Sequence, residues 1–587
     1  MREDLTAWMQ REKVEKAKSA SSKAKPSAER TSLLKQLQKK VEKEPILPSW
    51  FPRQPKSGPP GVLLNVEYDG QKALAKLKLF DPIKFEVYEW LDTSGHHPYC
   101  FTDYSRDELS QKEKVVGHSG FLRFEEVSRF DLLHDRKQSL VSIVAKDPLA
   151  IGGRRESIRE IIGRDHSWEA DIRYTHCYTM DRALTPGLLY RVQNRELLPV
   201  PQEYSSQDAK EIRSLFEGDS VAEKLVSEYL PLFLTHATHI PRIALDIEVV
   251  APVADRIPDP EAASSAIITI SLADDTGAGL ICLLRRDIES EMPEKQLSPN
   301  VQIRMFDEER KLLETVFHIL WRTPLLLTYN GDNFDLRYLA NRAKKLGIPD
   351  SDVPFFIRSS FAGTVEAHMK YGVHIDLYRF FHNRSIQIYA FGNQYREVRL
   401  EDVSQALLGE GKRELTSFIG DLSYTELADY CWQDSNLTMR LSQVNNDLVL
   451  NLILLLMRIS HQGMHDLTRT AVSNWIRSLL YYSHRQREYL IPRQDEIAAL
   501  KGEAVTEAII KGKKYMGAIV VEPKAGVHFD VTVVDFASLY PSIMKAYNLS
   551  YETVRCQHAE CKSNLVPETT HWICTKRKGL TSLIIGV

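Results

Sequence analysis

The pattern of apolar and polar residues changes several times along the chain, and the changes mark predicted domains. In residues 61–235 short apolar runs are separated by longer polar stretches, and the runs at 62–68 and 139–144 predict strands of a scaffold or nucleic-acid-contacting domain. From about 240 to 440 short apolar runs alternate with helical patterns, which predicts an α/β layer. From 441 to about 490 closely spaced leucines form an apolar helical surface. The chain is therefore predicted to be an α/β multidomain protein.

The two ends of the chain depart from this pattern. The first 60 residues are rich in Lys, Glu, Ser and Ala and then in Pro, which predicts a flexible, partly helical tail. That tail is either a basic arm that touches DNA or a partner, or a solvated extension. Near the other end, the apolar run at 531–534 predicts a buried strand, and Pro541 suits the first turn of a following helix. The predicted domains are 1–60, 61–235, 236–445, 446–490 and 491–587.

Composition narrows the class of protein only slightly. A hydrophobic content of 43% and a charged content of 26% are ordinary for a globular protein. The formal net charge of −3 neither announces nor excludes a nucleic-acid binder, because local clusters of Lys and Arg can hold DNA. No run approaches the ~18 apolar residues of a membrane span, and no signal core follows Met1, which predicts a cytoplasmic protein. Seven cysteines in 587 residues do not make a disulfide framework.

Carboxylates interrupt the apolar pattern at three places between 240 and 440. Asp246 and Glu248 stand two residues apart in an apolar strand and share one face, so they repel each other and need a cation. Asp335 follows an apolar strand and a turn, where it is either a site residue or the cap of a helix. Tyr430 and Asp434 are separated by one helical turn and share a helix face.

In order, spacing and context these segments resemble the three exonuclease motifs of family B DNA polymerases, whose proofreading domain has a ribonuclease-H-like fold. The resemblance implies that the four carboxylates bind two Mg²⁺ or Mn²⁺ ions. It also implies that Tyr430 orients the attacking water and that Asn330 shapes the pocket for the DNA 3′ end. Val249 stands where many members carry Thr, but no ligand is missing. An intact 3′–5′ exonuclease is therefore expected.

Residues 533–543 resemble the first palm motif of the same family. The resemblance implies that the carboxylate of Asp535 and the main-chain carbonyl of Phe536 bind metal. The residues implied to bind the nucleotide are Ser538, Leu539 and Tyr540, with Tyr540 as the steric gate against a ribose 2′ hydroxyl. The alternative is a structural strand-turn-helix with a capping aspartate.

A linker motif of the family is resembled just upstream, where Ala518 replaces a usual glycine. The lysines beside it are either phosphate contacts or a solvated charge cluster. The residues expected to contact DNA are Lys511, Lys513, Lys514, Tyr515 and Gly517.

Asp535 is unaccompanied, because no second polymerase-type acidic motif follows it, and two ions need at least one more carboxylate. The chain resembles the large polypeptide of a split archaeal family B polymerase, with an incomplete palm; a cut within a longer chain is the other explanation. The resemblance implies a heterodimer with a smaller second polypeptide, acting on primer-template DNA and dNTPs, and a contact with a sliding clamp. The alternatives are a stand-alone exonuclease and a non-catalytic DNA-binding scaffold.

A group of cysteines and histidines lies near the end of the chain. The spacing of Cys556, Cys561, His571 and Cys574 is compatible with a tetrahedral Zn²⁺ site. The resemblance to archaeal relatives adds a disulfide as a second interpretation. Free thiols are the third.

Overall fold

The computed structural model divides the chain into two compact units. The first unit contains Met1–Phe51 and Ile240–Val449, and the second contains Pro52–His239 and Leu450–Val587. The residues that the structure describes are 31–41, 43–46, 57–218, 220–250, 257–285, 298–359, 363–412, 418–502, 508–510, 513–515, 524–536, 538–566 and 569–586. Within these ranges, no helix is both long enough and apolar enough to cross a lipid bilayer.

A six-stranded mixed sheet forms the centre of the first unit. From edge to edge its strands are Val301–Phe306, Gly279–Leu284, Ile267–Asp274, Arg242–Val249, Leu325–Thr328 and Val373–Asp376. The strand Arg242–Val249 is interior, antiparallel to one neighbour and parallel to the other. Its residues are buried except for the two acids, which are partly buried. A separate hairpin joins Phe355–Ser359 to Val365–Met369.

Helices cover both faces of this sheet. Along Gly279–Leu284 the side chains alternate: Leu280 and Cys282 join a core that includes Glu309–Leu320, whereas Ile281 and Leu283 pack towards the helix that begins at Tyr424. This burial on both faces explains the continuous apolar runs in the sequence. The helices of the first unit are Leu33–Val41, Glu309–Leu320, Asp335–Lys345, Leu377–His382, Leu400–Leu408 and the first part of Tyr424–Ser460, with single turns at Ile386–Ala390 and Ile419–Asp421.

Part of the predicted tail is folded. The helix Leu33–Val41 buries Leu33, Leu34 and Leu37 in the core of the first unit. The hydroxyl of Ser32 and the backbone N–H of Leu34 both donate to the carboxylate of Asp274, the second over 3.1 Å. The prediction of a solvated extension is therefore wrong for this segment, because its leucines lie on one helix face and have a core to enter.

The helix Tyr424–Ser460 is interrupted where the predicted domain boundary lies. Val444 is extended, and Asn445, Asn446 and Asp447 adopt left-handed conformations with φ of 50°, 59° and 62°. Asn and Asp tolerate this conformation better than other non-glycine residues. The guanidinium of Arg242, which is buried, donates to the carboxylate of Asp447 and holds this turn against the first unit.

The second unit contains two antiparallel sheets and a short hairpin. The five strands of the first sheet are, in order, Glu86–Leu91, Leu74–Asp81, Gly61–Asp69, Leu189–Gln193 and Glu196–Pro199. The three strands of the second sheet are Tyr99–Thr102, Arg136–Ala145 and Phe121–Asp131. Ala508–Ile510 pairs with Lys513–Tyr515 in the hairpin. The strands predicted at 62–68 and 139–144 are confirmed within Gly61–Asp69 and Arg136–Ala145.

Short helices connect and cover these sheets. The helices of the second unit are Arg106–Gln111, Glu113–Val116, Pro148–Ile151, Ile158–Ile162, Tyr174–Asp181, Ser206–Ser214, Ser220–Leu234, the end of Tyr424–Ser460, Met464–Arg469, Val472–Gln486, Gln494–Lys501, Leu539–Ala546 and Leu580–Gly586, with 3-10 turns at Arg164–His166 and Ala559–Ser563.

Candidate active site

Three of the predicted acidic residues meet at one place in the first unit. Asp246 and Glu248 lie on the strand Arg242–Val249, where a period of two puts them on the same face. Asp434 reaches them from the helix Tyr424–Ser460. Their carboxylate oxygens all lie within 4.8 Å of one another. This is a spacing at which one divalent cation could contact all three.

The fourth acidic residue, Asp335, lies nearby at the start of a helix. Asp335 is only 5% exposed and is the first residue of Asp335–Lys345. The capping position belongs to Phe334, so the interpretation of Asp335 as a helix cap is wrong. Burial raises the pKa of Asp335 to about 7, and the charge of Asp434 contributes to the rise. Asp335 therefore belongs electrostatically to the cluster.

The cluster favours protons or a cation at neutral pH. Burial, followed by the charges of the neighbouring carboxylates, raises the pKa of Glu248 to about 8 and the pKa of Asp246 well above its usual range. Burial also raises the pKa of Asp434. The Oδ1 atom of Asp434 is buried and has no hydrogen-bond partner in the described part of the chain. An unsatisfied carboxylate oxygen facing other acids fits a metal ligand.

A lysine completes the charge arrangement, and the sequence gave no sign of it. The ammonium of Lys412 donates to the carboxylate of Asp434 and, over 3.2 Å, to the hydroxyl of Tyr430. Burial opposes its charge, but the attraction of Asp434 and Asp246 outweighs burial and raises the pKa of Lys412. Lys412 follows the helix Leu400–Leu408 without a motif that would have singled it out.

Two further residues border the cluster. The thiol of Cys431 lies 3.5 Å from Oδ2 of Asp246, and burial raises the thiol pKa well above its usual range, so Cys431 stays neutral. Burial also raises the pKa of Tyr430 to about 12, although Lys412 acts in the opposite direction. Tyr430 is therefore a neutral hydroxyl beside the carboxylates, able to donate a hydrogen bond to water or substrate.

Asn330 lies in the turn that precedes Asp335. Its φ of 72° is left-handed, and its backbone N–H donates to Oδ1 of Asp376 over 2.7 Å. Its side-chain oxygen accepts a hydrogen bond of 2.6 Å from Asn333. The structure thus shows how the turn is fixed, and the role of Asn330 at a DNA 3′ end stays a prediction.

The segment around Asp535 differs from its prediction. The run 531–534 is not a strand, and the side chains of Val531, Val533 and Val534 are 66%, 88% and 85% exposed. A strand needs a neighbour for its N–H and C=O groups, and no strand in the described ranges pairs with this run. Asp535 itself is exposed and belongs to no group of three or more potential metal ligands among the described residues.

The helix that follows Asp535 forms as expected. It spans Leu539–Ala546, and Ser538 occupies its N-cap position with a φ of 52°. Pro541 lies in its first turn, and Tyr540 is 67% exposed. The backbone N–H groups of a helix start are available to an anion here. The nucleotide-contacting roles of Ser538, Leu539 and Tyr540 stay predictions.

The predicted DNA contacts upstream are described only in part. Lys511 and Gly517 lie outside the described residues. Lys513, Lys514 and Tyr515 form one strand of the short hairpin.

The predicted cysteine group is assembled with a different histidine. Cys556, Cys561 and Cys574 come together with His558, whereas His571 is exposed and lies outside the group. All seven cysteines of the chain are free thiols in the structure.

Comparison with known proteins connects both regions to one family. Residues 165–390 match the exonuclease domain of DNA polymerase family B, and residues 464–582 match a second model described as DNA polymerase family B. The first match includes the acids on the strand and Asp335 but ends before Asp434, which the fold brings to them. The second match includes Asp535.

Relatives agree with these matches. The chain is 41% identical to DNA polymerase 1 of Sulfolobus acidocaldarius over 89% of its own length and 59% of the relative. It is 38% identical to DNA polymerase 1 of Saccharolobus solfataricus, over 97% of its own length and 63% of the relative. The solved family B DNA polymerase of Pyrobaculum calidifontis shares the fold, with a TM-score of 0.61, 19% identity and coverage of 90% and 62% of the two chains. The chain thus spans about three fifths of these proteins.

Proposed function

The chain belongs to DNA polymerase family B, and we propose that its acidic cluster removes nucleotides from the 3′ ends of DNA. The observation that carries the proposal is the convergence of the Asp246, Glu248 and Asp434 oxygens within 4.8 Å. The unpartnered Oδ1 of Asp434 points to an additional ligand at the same place. A cluster of buried acids without an ion would only destabilise the fold, so its retention favours a catalytic role.

The four acids fit Mg²⁺ or Mn²⁺, which prefer oxygen ligands. Asp246, Glu248, Asp335 and Asp434 would hold two ions, which activate water and stabilise the charge that develops on the leaving 3′ oxygen. Tyr430 donates a hydrogen bond that orients the attacking water. Lys412 keeps a positive charge at the cluster in the absence of metal and offers that charge to a phosphate when DNA is present.

Digestion of a 5′-labelled single strand and of a mismatched primer, with Mg²⁺ and with Mn²⁺, tests this proposal. Asp246→Ala is expected to abolish shortening from the 3′ end. Asp307→Ala is a matched control, because Asp307 is an acid of the same unit whose side chain is 81% exposed. Metal-dependent shortening by Asp246→Ala at the wild-type rate would contradict the assignment.

We propose further that Asp535 contributes to DNA synthesis from dNTPs on a primer-template, in a palm completed by a second polypeptide. The support is the apolar segment beside Asp535, in which Phe529 is 84% and Phe536 is 74% exposed, together with the valines described above. Covering each such side chain contributes about 1.5–3 kcal/mol. An exposed surface of this kind favours another protein segment as a neighbour. That neighbour would carry the fingers, the rest of the palm and the thumb.

Primer extension by the chain alone and after mixing with the candidate polypeptide tests the second proposal. Synthesis only after mixing supports it, and synthesis by the chain alone at the same rate contradicts it. Val533→Glu is expected to weaken complex formation in size-exclusion chromatography. Ile83→Glu is a matched control, since Ile83 is 79% exposed in the same unit, away from this segment in the sequence. Contact with a sliding clamp stays a prediction.

A further inference from the structure

Four side chains that can bind a soft metal ion meet in the second unit, outside both proposed catalytic regions. The potential ligand atoms of Cys556, His558, Cys561 and Cys574 all lie within 4.8 Å of one another. The three cysteines are 4%, 0% and 4% exposed. Three thiols and one imidazole at this spacing match the ligand set of a tetrahedral structural zinc site.

The backbone builds this arrangement without help from the sulfur atoms. The 3-10 turn Ala559–Ser563 carries Cys561 back towards Cys556. The N–H of Cys574 donates to the carbonyl of Thr553 over 2.9 Å, and the indole N–H of Trp572 donates to the carbonyl of Cys556 over 3.0 Å. The two halves of the knuckle are therefore held together by main-chain hydrogen bonds, which position the thiols before any metal arrives.

Hydrogen bonds prepare two of the ligands. The backbone N–H of Thr575 donates to Sγ of Cys561 over 3.4 Å, an interaction that favours a thiolate. Nδ1 of His558 lies 3.4 Å from Sγ of Cys574 and so faces the thiols. Nε2 of His558 is paired with Oδ2 of Asp135 over 2.7 Å. A carboxylate on the far nitrogen fixes the ring and its tautomer, as in many zinc sites.

Asp135 comes from a distant part of the same unit. It lies in the turn between the strands Phe121–Asp131 and Arg136–Ala145, and it also accepts a hydrogen bond from the guanidinium of Arg577. The side-chain amide of Asn548, just after the helix Leu539–Ala546, donates to the carbonyl of Cys574 over 3.1 Å. The cysteine group thus lies between the first part of the second unit and the helix that carries Tyr540.

We propose that Cys556, His558, Cys561 and Cys574 bind one Zn²⁺ ion and that Asp135 orients the histidine. With four protein ligands the site is closed, so its role is structural. The ion fastens the segment after Leu539–Ala546 to the turn at Asp135. A disulfide would use two of the three thiols and leave the third beside the histidine, whereas zinc uses all four groups.

The metal content of the purified full-length chain tests the proposal without reference to activity. Elemental analysis is expected to give one zinc per chain, which a mercurial reagent releases and a colorimetric chelator detects. After exchange with Co²⁺, ligand-field bands and a thiolate-to-cobalt charge-transfer band should report tetrahedral sulfur ligation. A metal-free chain, a disulfide among these cysteines, or bound iron with visible absorption in anaerobically prepared protein would each overturn the proposal.

Variants separate the ligands from their surroundings. Cys561→Ser is expected to lose the metal, and His571→Ala is the matched control that keeps it. Asp135→Asn retains the fold-forming ligands and is expected to weaken zinc binding by about 10- to 100-fold. If Cys561→Ser fails to fold, the Asp135→Asn measurement still decides: unchanged zinc affinity together with an unchanged cobalt spectrum would overturn the orienting role.

Discussion

Replacing Glu248 with glutamine is expected to stabilise the metal-free first unit, and the gain should grow with pH. Burial and the nearby acids raise the pKa of Glu248 from 4.5 to about 8 in the folded protein. Between these two values the folded state holds a proton that the unfolded state has released. The free energy of unfolding of the metal-free wild type therefore falls as pH rises from about 4.5 to about 8. Glutamine carries no titratable proton and removes this loss.

The magnitude follows from the size of the pKa change. For an isolated group it corresponds to on the order of 5 kcal/mol. Asp246, Asp335 and Asp434 share the repulsion, and Lys412 partly offsets it, so one substitution recovers only a part. We expect a gain of about 2–3 kcal/mol near pH 8.5 and almost none near pH 5. For a unit of this size the gain raises the unfolding midpoint by about 4–12 °C.

Thermal unfolding in EDTA across this pH range measures the effect. Glu308→Gln is the matched control, since the Glu308 side chain is 58% exposed and lies outside the cluster. Added Mn²⁺ should raise the wild-type midpoint more than that of Glu248→Gln, because the ion relieves the same repulsion. Parallel pH profiles of wild type and Glu248→Gln in EDTA would refute the reasoning.

Three further predictions follow from single side chains. Lys412→Met should lower the exonuclease kcat on the order of 10- to 100-fold and lower the Mn²⁺ concentration needed for half activity, because the ion no longer competes with an ammonium for Asp434; steady-state kinetics with metal titration measures both. Burial lowers the pKa of His461 to about 3, so the second unit should lose up to about 3 kcal/mol as pH falls from about 6.5 to about 4. A shallower pH slope in His461→Phe would confirm this, and an equal slope would contradict it. Leu34→Ala should destabilise the first unit by about 2–5 kcal/mol in denaturant titrations, whereas the exposed Gln36→Ala should not.

Local rules were sufficient for much of the acidic cluster. A period of two in a strand puts Asp246 and Glu248 on one face, and one helical turn puts Tyr430 and Asp434 on another. These relations depend only on backbone geometry, so they can be read without the fold. That the two faces meet depends on the tertiary structure, and the family resemblance supplied that part.

Partners distant in sequence could not be predicted in the same way. Lys412 is recognisable only once Asp434 lies beside it. The choice between His558 and His571 depends on the turn Ala559–Ser563 and on Asp135, more than 400 residues earlier. Spacing alone favoured His571, because a histidine three residues before a cysteine is a common zinc pattern. The direction of the backbone decided otherwise.

The segment beside Asp535 shows a different limit. Valines at 531, 533 and 534 have the propensity of a buried strand, yet propensity forms a strand only where a neighbouring strand accepts its hydrogen bonds. The described residues provide no such neighbour, and the side chains remain exposed. Asp535 has a corresponding electrostatic deficit, because one carboxylate does not hold two ions. A single additional strand that carries an acid would satisfy both requirements at once. For this reason the proposed second polypeptide should restore the strand and the catalytic site together, and a partner that restored only one of them would not be the one inferred here.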